Sequence, residues 1–113
     1  LANQITGSAS SNWLLGGQGG DLLNGKNGND VLFGEAGADT FVFEAGGGSD
    51  VIGDFEVGID KIRIAGYGLD WSSLRNLFIQ VGSDGAIRFS NGDLIVLQNV
   101  DMSALSATSF TFA

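Results

Sequence analysis

Large apolar side chains return every nine residues through the first half of the chain. Leu14, Leu23, Leu32 and Phe41 each hold the eighth place of a nine-residue unit; Ile5 is in phase before them, and Ile52 follows a two-residue insertion at Phe43-Glu44. One inward apolar residue per unit predicts a very short strand in each. Beyond residue 60 the grammar changes. Lys61–Ile64, Leu77–Val81, Ala86–Phe89 and Leu94–Leu97 read as ordinary strands, with turns at Ser83-Asp84-Gly85 and Asn91-Gly92. Asp70 is placed to cap a short helix over Trp71–Asn76, and a turn or helix near Met102–Leu105 precedes a last strand, Phe110–Phe112.

The polar places of the unit are equally regular. Residues 16–24, 25–33 and 34–42 each carry Gly first and fourth and Asp sixth. The pattern weakens outward: residues 7–15 keep Gly7 and Leu14 but have Ser10 and Asn12, Asn3 is in phase earlier, and Gly46, Gly48 and Asp50 resume it later. Glycine at fixed places lets six residues close a tight, carbonyl-lined turn. Nine residues then make half a coil, and eighteen a full one. Successive coils stack their strands parallel at about 4.8 Å, around a thin core between two sheets.

Such a core cannot by itself offset the ordering of 14 glycines before residue 60. Charge makes the difficulty worse. Residues 1–60 hold nine acids against Lys26 alone, whereas residues 61–113 balance four acids with four bases, for a net charge of −8. Stacking sets Asp21 over Asp39, Asp30 near Asp50, Asn3 over Asp21 and Asn12 over Asp30. Like charges one strand apart repel unless a cation lies between them. With no cysteine or histidine in the chain, only oxygen ligands are on offer, which selects Ca²⁺ over transition metals, and flexible turns suit it better than Mg²⁺. About three or four such ions would bring about +6 to +8 and nearly cancel the charge of the first half.

Gly16-Gly17-Gln18-Gly19-Gly20-Asp21-Leu22-Leu23-Asn24 matches the G-G-x-G-x-D-x-U-x nonapeptide in full; the next two units place Lys26 and Glu35 where the second glycine belongs. The chain thus resembles the RTX, or hemolysin-type, calcium-binding repeat family. Asp39-Thr40-Phe41-Val42-Phe43, followed by residues 50–55 and 58–62, is similar to the repeat-to-cap junction of serralysin-type proteases and alginate epimerase R-modules. The resemblance implies an all-β fold: a right-handed parallel β-roll over residues 1–60, with an antiparallel β cap over 61–113. It implies calcium ligation by the side chains of Asp21, Asp30, Asp39 and Asp50, and by the carbonyls of Gly16, Gln18, Gly19, Gly25, Asn27, Gly28, Gly34, Ala36 and Gly37. Asp54 and Asp60 would close the last site, while Asn12 is a weaker, neutral ligand at the first. It further implies an extracellular, non-catalytic module, exported by type I secretion machinery that reads a signal near the C-terminus.

Other chemistries find less support. The acidic balance argues against nucleic acid and anionic membranes, and no apolar run is long enough for a transmembrane segment. No N-terminal export signal is legible, so the chain reads as a piece of something larger. Residues 20–26 satisfy GxxxxGK, but Asn27 follows in place of Ser or Thr. Pairing of the first-half acids as a glycosidase acid and base is disfavoured because the repeat already accounts for them. Two features suit an alternative role in binding acidic polysaccharide: Trp13, Tyr67 and Trp71 as a stacking platform, and Lys61, Arg63, Arg75 and Arg88 as a basic face.

Overall fold

A computed structural model describes residues 4–8 and 11–112. Asn3 and Ser10 lie outside the described residues. The strands are β1 (Gln4–Thr6), β2 (Trp13–Leu15), β3 (Leu22–Asn24), β4 (Val31–Phe33), β5 (Thr40–Glu44), β6 (Ser49–Ile52), β7 (Lys61–Ala65), β8 (Phe78–Val81), β9 (Asp84–Arg88), β10 (Leu94–Leu97) and β11 (Phe110–Phe112). From β1 to β7, successive strands enter the two sheets in turn. One sheet has the order β1-β3-β5-β7-β11, the other β2-β4-β6-β10-β9-β8.

This is the parallel β-roll that the nine-residue period predicts. Leu22 pairs with Thr40 and Val31 with Val51, both in parallel ladders. Leu14, Leu23, Leu32, Phe41 and Ile52 all point into the space between the sheets and are buried. The insertion at Phe43-Glu44 lengthens β5 to five residues, so Phe43 adds a second buried ring opposite Ile64 on β7.

The second half joins the roll more closely than a separate antiparallel cap would. β7 adds to β5, β11 to β7, and β10 to β6, all in parallel. Among the described residues, only β9 runs antiparallel to its neighbours, β10 and β8. The last repeat strands leave open rows of N–H and C=O groups, and the tail pairs both of them. It also enlarges the thin core. Leu74, Ile87, Phe89, Ile95, Leu97, Met102, Leu105 and Phe110 fall in one cluster with the repeat leucines.

Two tail assignments need correction. β9 covers Asp84–Arg88, not 86–89, and its hairpin with β8 closes through Gly82-Ser83, because Val81 pairs with Asp84. Gly82 has a φ of 62°, the left-handed geometry that such a tight turn needs. Asp70 does cap α1 (Trp71–Leu74), its Oδ1 accepting the Ser73 N–H at 2.9 Å; residues 75–77 then tighten into a 3₁₀ turn.

Candidate metal centre

The aspartates at position six form two ladders along the roll. Asp21, Asp39 and Asp60 precede β3, β5 and β7, while Asn12 and Asp30 precede β2 and β4 and Asp50 lies within β6. Four of the carboxylates are tied to the coil before them. Asp39 Oδ1 accepts the Asp21 N–H at 2.9 Å, Asp50 Oδ1 that of Asp30 at 2.9 Å, Asp60 Oδ1 that of Asp39 at 2.9 Å, and Asp30 Oδ1 that of Asn12 at 2.8 Å. The ladder therefore fixes one oxygen of each of these four acids.

The second oxygens point elsewhere. Oδ2 of Asp30 and of Asp39 is buried without a hydrogen-bond partner, in residues only 1% exposed. Each lies over the first glycine of its own unit. A Cβ on Gly34 would stand 2.7 Å from Asp39 Cγ, and one on Gly25 would stand 2.7 Å from Asp30 Cγ. A Cβ on Gly16 would meet both Asp21 Oδ2 at 2.6 Å and the Gly34 carbonyl oxygen at 2.7 Å. The position-one glycine leaves open a space into which carboxylate and carbonyl oxygens face together.

Burial acts on these acids in one direction. It raises the Asp39 carboxyl to about 6, with further upward pushes from Asp60, Asp21 and Asp54 against the Asp21 N–H bond. Burial likewise lifts Asp50 to about 7, opposed by the Asp30 N–H and reinforced by the Asp30 charge. Asp30 and Asp60 are raised for the same leading reason. Metal-free, the ladders hold ionised carboxylates at a cost.

The position-two residues are also constrained. Gly17, Lys26 and Glu35 have φ values of 82°, 64° and 64°. The two departures from the glycine consensus therefore keep its left-handed backbone. Asn24 Oδ1 accepts the Lys26 N–H at 2.9 Å, and Asp54 Oδ2 accepts that of Glu35 at 2.8 Å. Lys26 also lies 3.7 Å from Glu44 in an exposed ion pair.

The remaining predicted ligands divide. The carbonyl oxygens of Gly19, Gly25, Gly28 and Gly34 face the glycines Gly37, Gly7, Gly48 and Gly16 of a neighbouring coil, whereas Gln18, Asn27, Ala36 and Gly37 lie on the turns between strands. Asp54 and Asp60 differ from the other acids. Asp54 takes the N–H groups of Gly34 and Glu35, and Asp60 those of Asp39 and Glu56, so both oxygens of each are occupied. Asn12 Oδ1 folds back onto its own unit, accepting the Ser8 N–H at 2.8 Å.

One buried acid carries no mark in the nine-residue spacing. Asp93 accepts the N–H groups of Gly46 and Gly48 at 2.8 and 3.1 Å, the Tyr67 hydroxyl at 2.5 Å and the Asn91 amide at 2.8 Å. These bonds outweigh burial and hold its carboxyl below the ordinary range. Burial and the neighbouring Asp93 raise the Tyr67 phenol. Asp93 thus closes the last glycine turn with protein groups alone.

The oxygen-only donor set, the unpartnered Oδ2 atoms and the glycine cradles fit a hard cation such as Ca²⁺. Among the described residues no three carboxylates converge, so two acids at most meet at one place and carbonyls must supply the other ligands. The two polysaccharide features do not assemble. Trp13 lies against Phe33, Tyr67 stacks on Phe89, and Trp71 packs on Phe78 and Phe110. Lys61 and Arg63 lie on β7 of one sheet, Arg88 on β9 of the other, and Arg75 in the 3₁₀ turn after α1.

Residues 2–31 and 15–52 match the RTX calcium-binding nonapeptide repeat (4 copies). The first half of the chain is an RTX repeat array. Its fold recurs in the extracellular lipase LipA of Serratia marcescens, with a TM-score of 0.76 and 24% identity over 97% of this chain. The chain spans 21% of that lipase. Two subunits of a mannuronan C5-epimerase of Azotobacter vinelandii are also similar. AlgE6R3 has a TM-score of 0.67 and 27% identity, covering 99% of this chain and 78% of its own. AlgE6R2 has a TM-score of 0.53 and 28% identity, covering 96% and 92%. No curated protein matches the chain. Among the described residues, no helix of the chain is long and apolar enough to cross a membrane.

Proposed function

We propose that this RTX module folds on binding calcium outside the cell and serves a secreted parent protein that leaves by type I secretion. The observation that carries the reading is the pair of aspartate ladders, whose buried Oδ2 atoms on Asp30 and Asp39 face glycine cradles without a partner. In calcium-poor cytosol, carboxylate repulsion and glycine entropy favour the unfolded chain, a form suited to a narrow export channel. Outside, calcium at about 10⁻³ M is enough to fill sites with the affinity of extracellular modules, and binding free energy becomes folding free energy.

In this reading Asp21, Asp30, Asp39 and Asp50 supply charged oxygens, and Asn12 a neutral one. The carbonyls of Gly16, Gln18, Gly19, Gly25, Asn27, Gly28, Gly34, Ala36 and Gly37 complete about three or four sites. Asp54 and Asp60 hold the last turns in shape beside them. Residues 1–60 act as the calcium unit, residues 61–113 as the cap and secretion region, and neither has a catalytic role. Calorimetric titration of stripped protein beside far-ultraviolet circular dichroism tests this: a cooperative gain of β structure with three or more bound ions is expected. The same β content in EDTA as in calcium would refute it.

A second reading, binding of acidic polysaccharide, draws on Arg63. Its side chain borders a shallow groove on the outer face of the first sheet, with Gln4, Thr6, Leu22, Asn24 and Val42. Lys61 is nearby but donates to the Thr108 carbonyl. Saturable, salt-sensitive binding of alginate that is lost in Arg63→Ala would support it.

A further inference from the structure

The two sheets present unlike outer faces. On the first, Gln4, Thr6, Asn24, Thr40, Lys61, Arg63 and Thr111 alternate with the buried residues. The second carries an unbroken apolar row across its middle, with Ser49, Asp84 and Arg88 as the polar residues flanking it on β6 and β9. Pairing places Trp13, Val31, Val51, Val96, Ala86 and Ile79 in one continuous row across all six strands. Leu15 and Phe33 extend it on one side, where the Phe33 ring covers Gly53, and Val81 does so on the far strand. The most exposed members stand on the two edge strands: Trp13 is 74% and Leu15 56% exposed on β2, and Val81 is 64% exposed on β8.

We infer that this face pairs with the same face of a second copy of the chain. Six strands at about 4.8 Å and three or four residues at about 3.4 Å make a face of roughly 29 by 12 Å. With its edge side chains standing clear, that offers about 500–600 Å² per copy, at the upper end of ordinary monomer patches. Two copies bury about 1,000–1,200 Å², near the threshold for a specific interface.

The central row is also self-complementary. A twofold axis parallel to the strands, between β6 and β10, sets Trp13 and Leu15 against Ile79 and Val81 of the other copy. It sets Val31 over Ala86, the smallest side chain of the row, and Val51 over Val96, while Phe33 falls opposite Asp84 at the rim. Identical sheets share one twist, which lets them pack face to face about 10 Å apart. A like-charged or polar partner would leave this face exposed.

The pairing is linked to calcium to the extent that the proposed function holds, because β2, β4 and β6 belong to the repeats and each apo copy carries a charge of −8. Sedimentation equilibrium from 5 to 500 μM, with circular dichroism on the same samples in calcium and in EDTA, tests it. The expected result is a dimer of the folded protein with a Kd on the order of 10–100 μM. Leu15→Lys and Val81→Lys should each raise that Kd at least tenfold while leaving the β signal intact. Folded protein that stays monomeric at 500 μM, or variants that pair as well as the parent, would overturn the dimer and leave the calcium reading standing. Folded, dimeric protein in both media would support pairing while removing its calcium link.

Discussion

Replacing Asp39 by Asn should move the stability of the module in opposite directions with and without calcium. The amide keeps the shape of the carboxylate, and its Oδ1 can still accept the Asp21 N–H. What it removes is the buried charge. Burial lifts the Asp39 carboxyl from 3.8 to about 6, and at about 1.4 kcal/mol per unit this sets an upper bound of about 3 kcal/mol on the cost of ionising it in the metal-free fold at pH 7.5. Water around the turns screens part of this, leaving about 1–2 kcal/mol of stabilisation for Asp39→Asn in EDTA. With calcium the sign reverses. A charged ligand becomes neutral in the ladder between Asp21 and Asp60, so calcium affinity should fall tenfold or more at the adjacent sites. Urea unfolding followed by circular dichroism measures both limbs, with trimethylamine oxide added in EDTA to bring the metal-free equilibrium into range. Asp101→Asn, at an exposed cap, is the control. If Asp39→Asn destabilises both forms, the carboxylate acts as a hydrogen-bond acceptor and not as a cation ligand.

Gly34→Ala should disrupt folding in calcium by about 3–5 kcal/mol, because its Cβ would fall on the Asp39 carboxylate; Gly17→Ala, with open space around it but a φ of 82°, should cost only about 1–2 kcal/mol. Calcium-dependent thermal unfolding distinguishes the two. Lys26→Gly and Glu35→Gly relieve left-handed backbone at φ 64° and should each stabilise the folded module by up to about 1 kcal/mol, read from urea midpoints. Stripped protein should gain β signal on acidification: Asp39 and Asp50 have folded values of about 6 and about 7, above the unfolded 3.8, so their contribution is present below about pH 4 and lost as pH rises through 6 to 7. A β signal that rises with pH would contradict this. Asp93→Ala leaves the Gly46 and Gly48 N–H groups and the Tyr67 hydroxyl without their acceptor, and should cost about 2–4 kcal/mol with or without calcium.

The repeat half of the fold was legible because one period fixes both the inward residue and the turn. Leu23 and Phe41 mark the strands, and the glycines and Asp21 or Asp39 mark the turns, so local chemistry and long-range stacking coincide. The tail lacks this redundancy. Lys61–Ala65 reads as a strand from its alternation, but nothing local says that it will pair in parallel with β5, which depends on the row of backbone groups that β5 leaves open. The hairpin slipped for a related reason. Asp84-Gly85 is a strong turn pair, yet Gly85 is buried under Met102 within β9, and packing there overrides local turn preference. Asp93 was invisible because its partners, Gly46, Gly48 and Tyr67, lie 26 or more residues away in sequence and meet it only through the sheet.

Asp93, Asp54 and Asp60 also explain how a ladder of repelling charges can end. Within the array, Asp30 and Asp39 each spend one oxygen on a backbone N–H and keep the other buried without a hydrogen-bond partner. At the end of the array no further coil exists to share an ion, and an acid with a free oxygen would remain uncompensated. Both oxygens of Asp54, Asp60 and Asp93 are instead occupied by donors from the protein itself. The same residue type thus does two jobs, set by whether its second oxygen meets a glycine cradle or a backbone N–H. On the proposed function, that division would put the calcium requirement in the repeats and leave the cap-side turns closed by the chain, so that the cap would template the last coil before any ion binds. Asp60→Asn should accordingly lower calcium affinity less than Asp39→Asn does, and parity between the two in calorimetric titration would show that Asp60 is a ligand of equal weight.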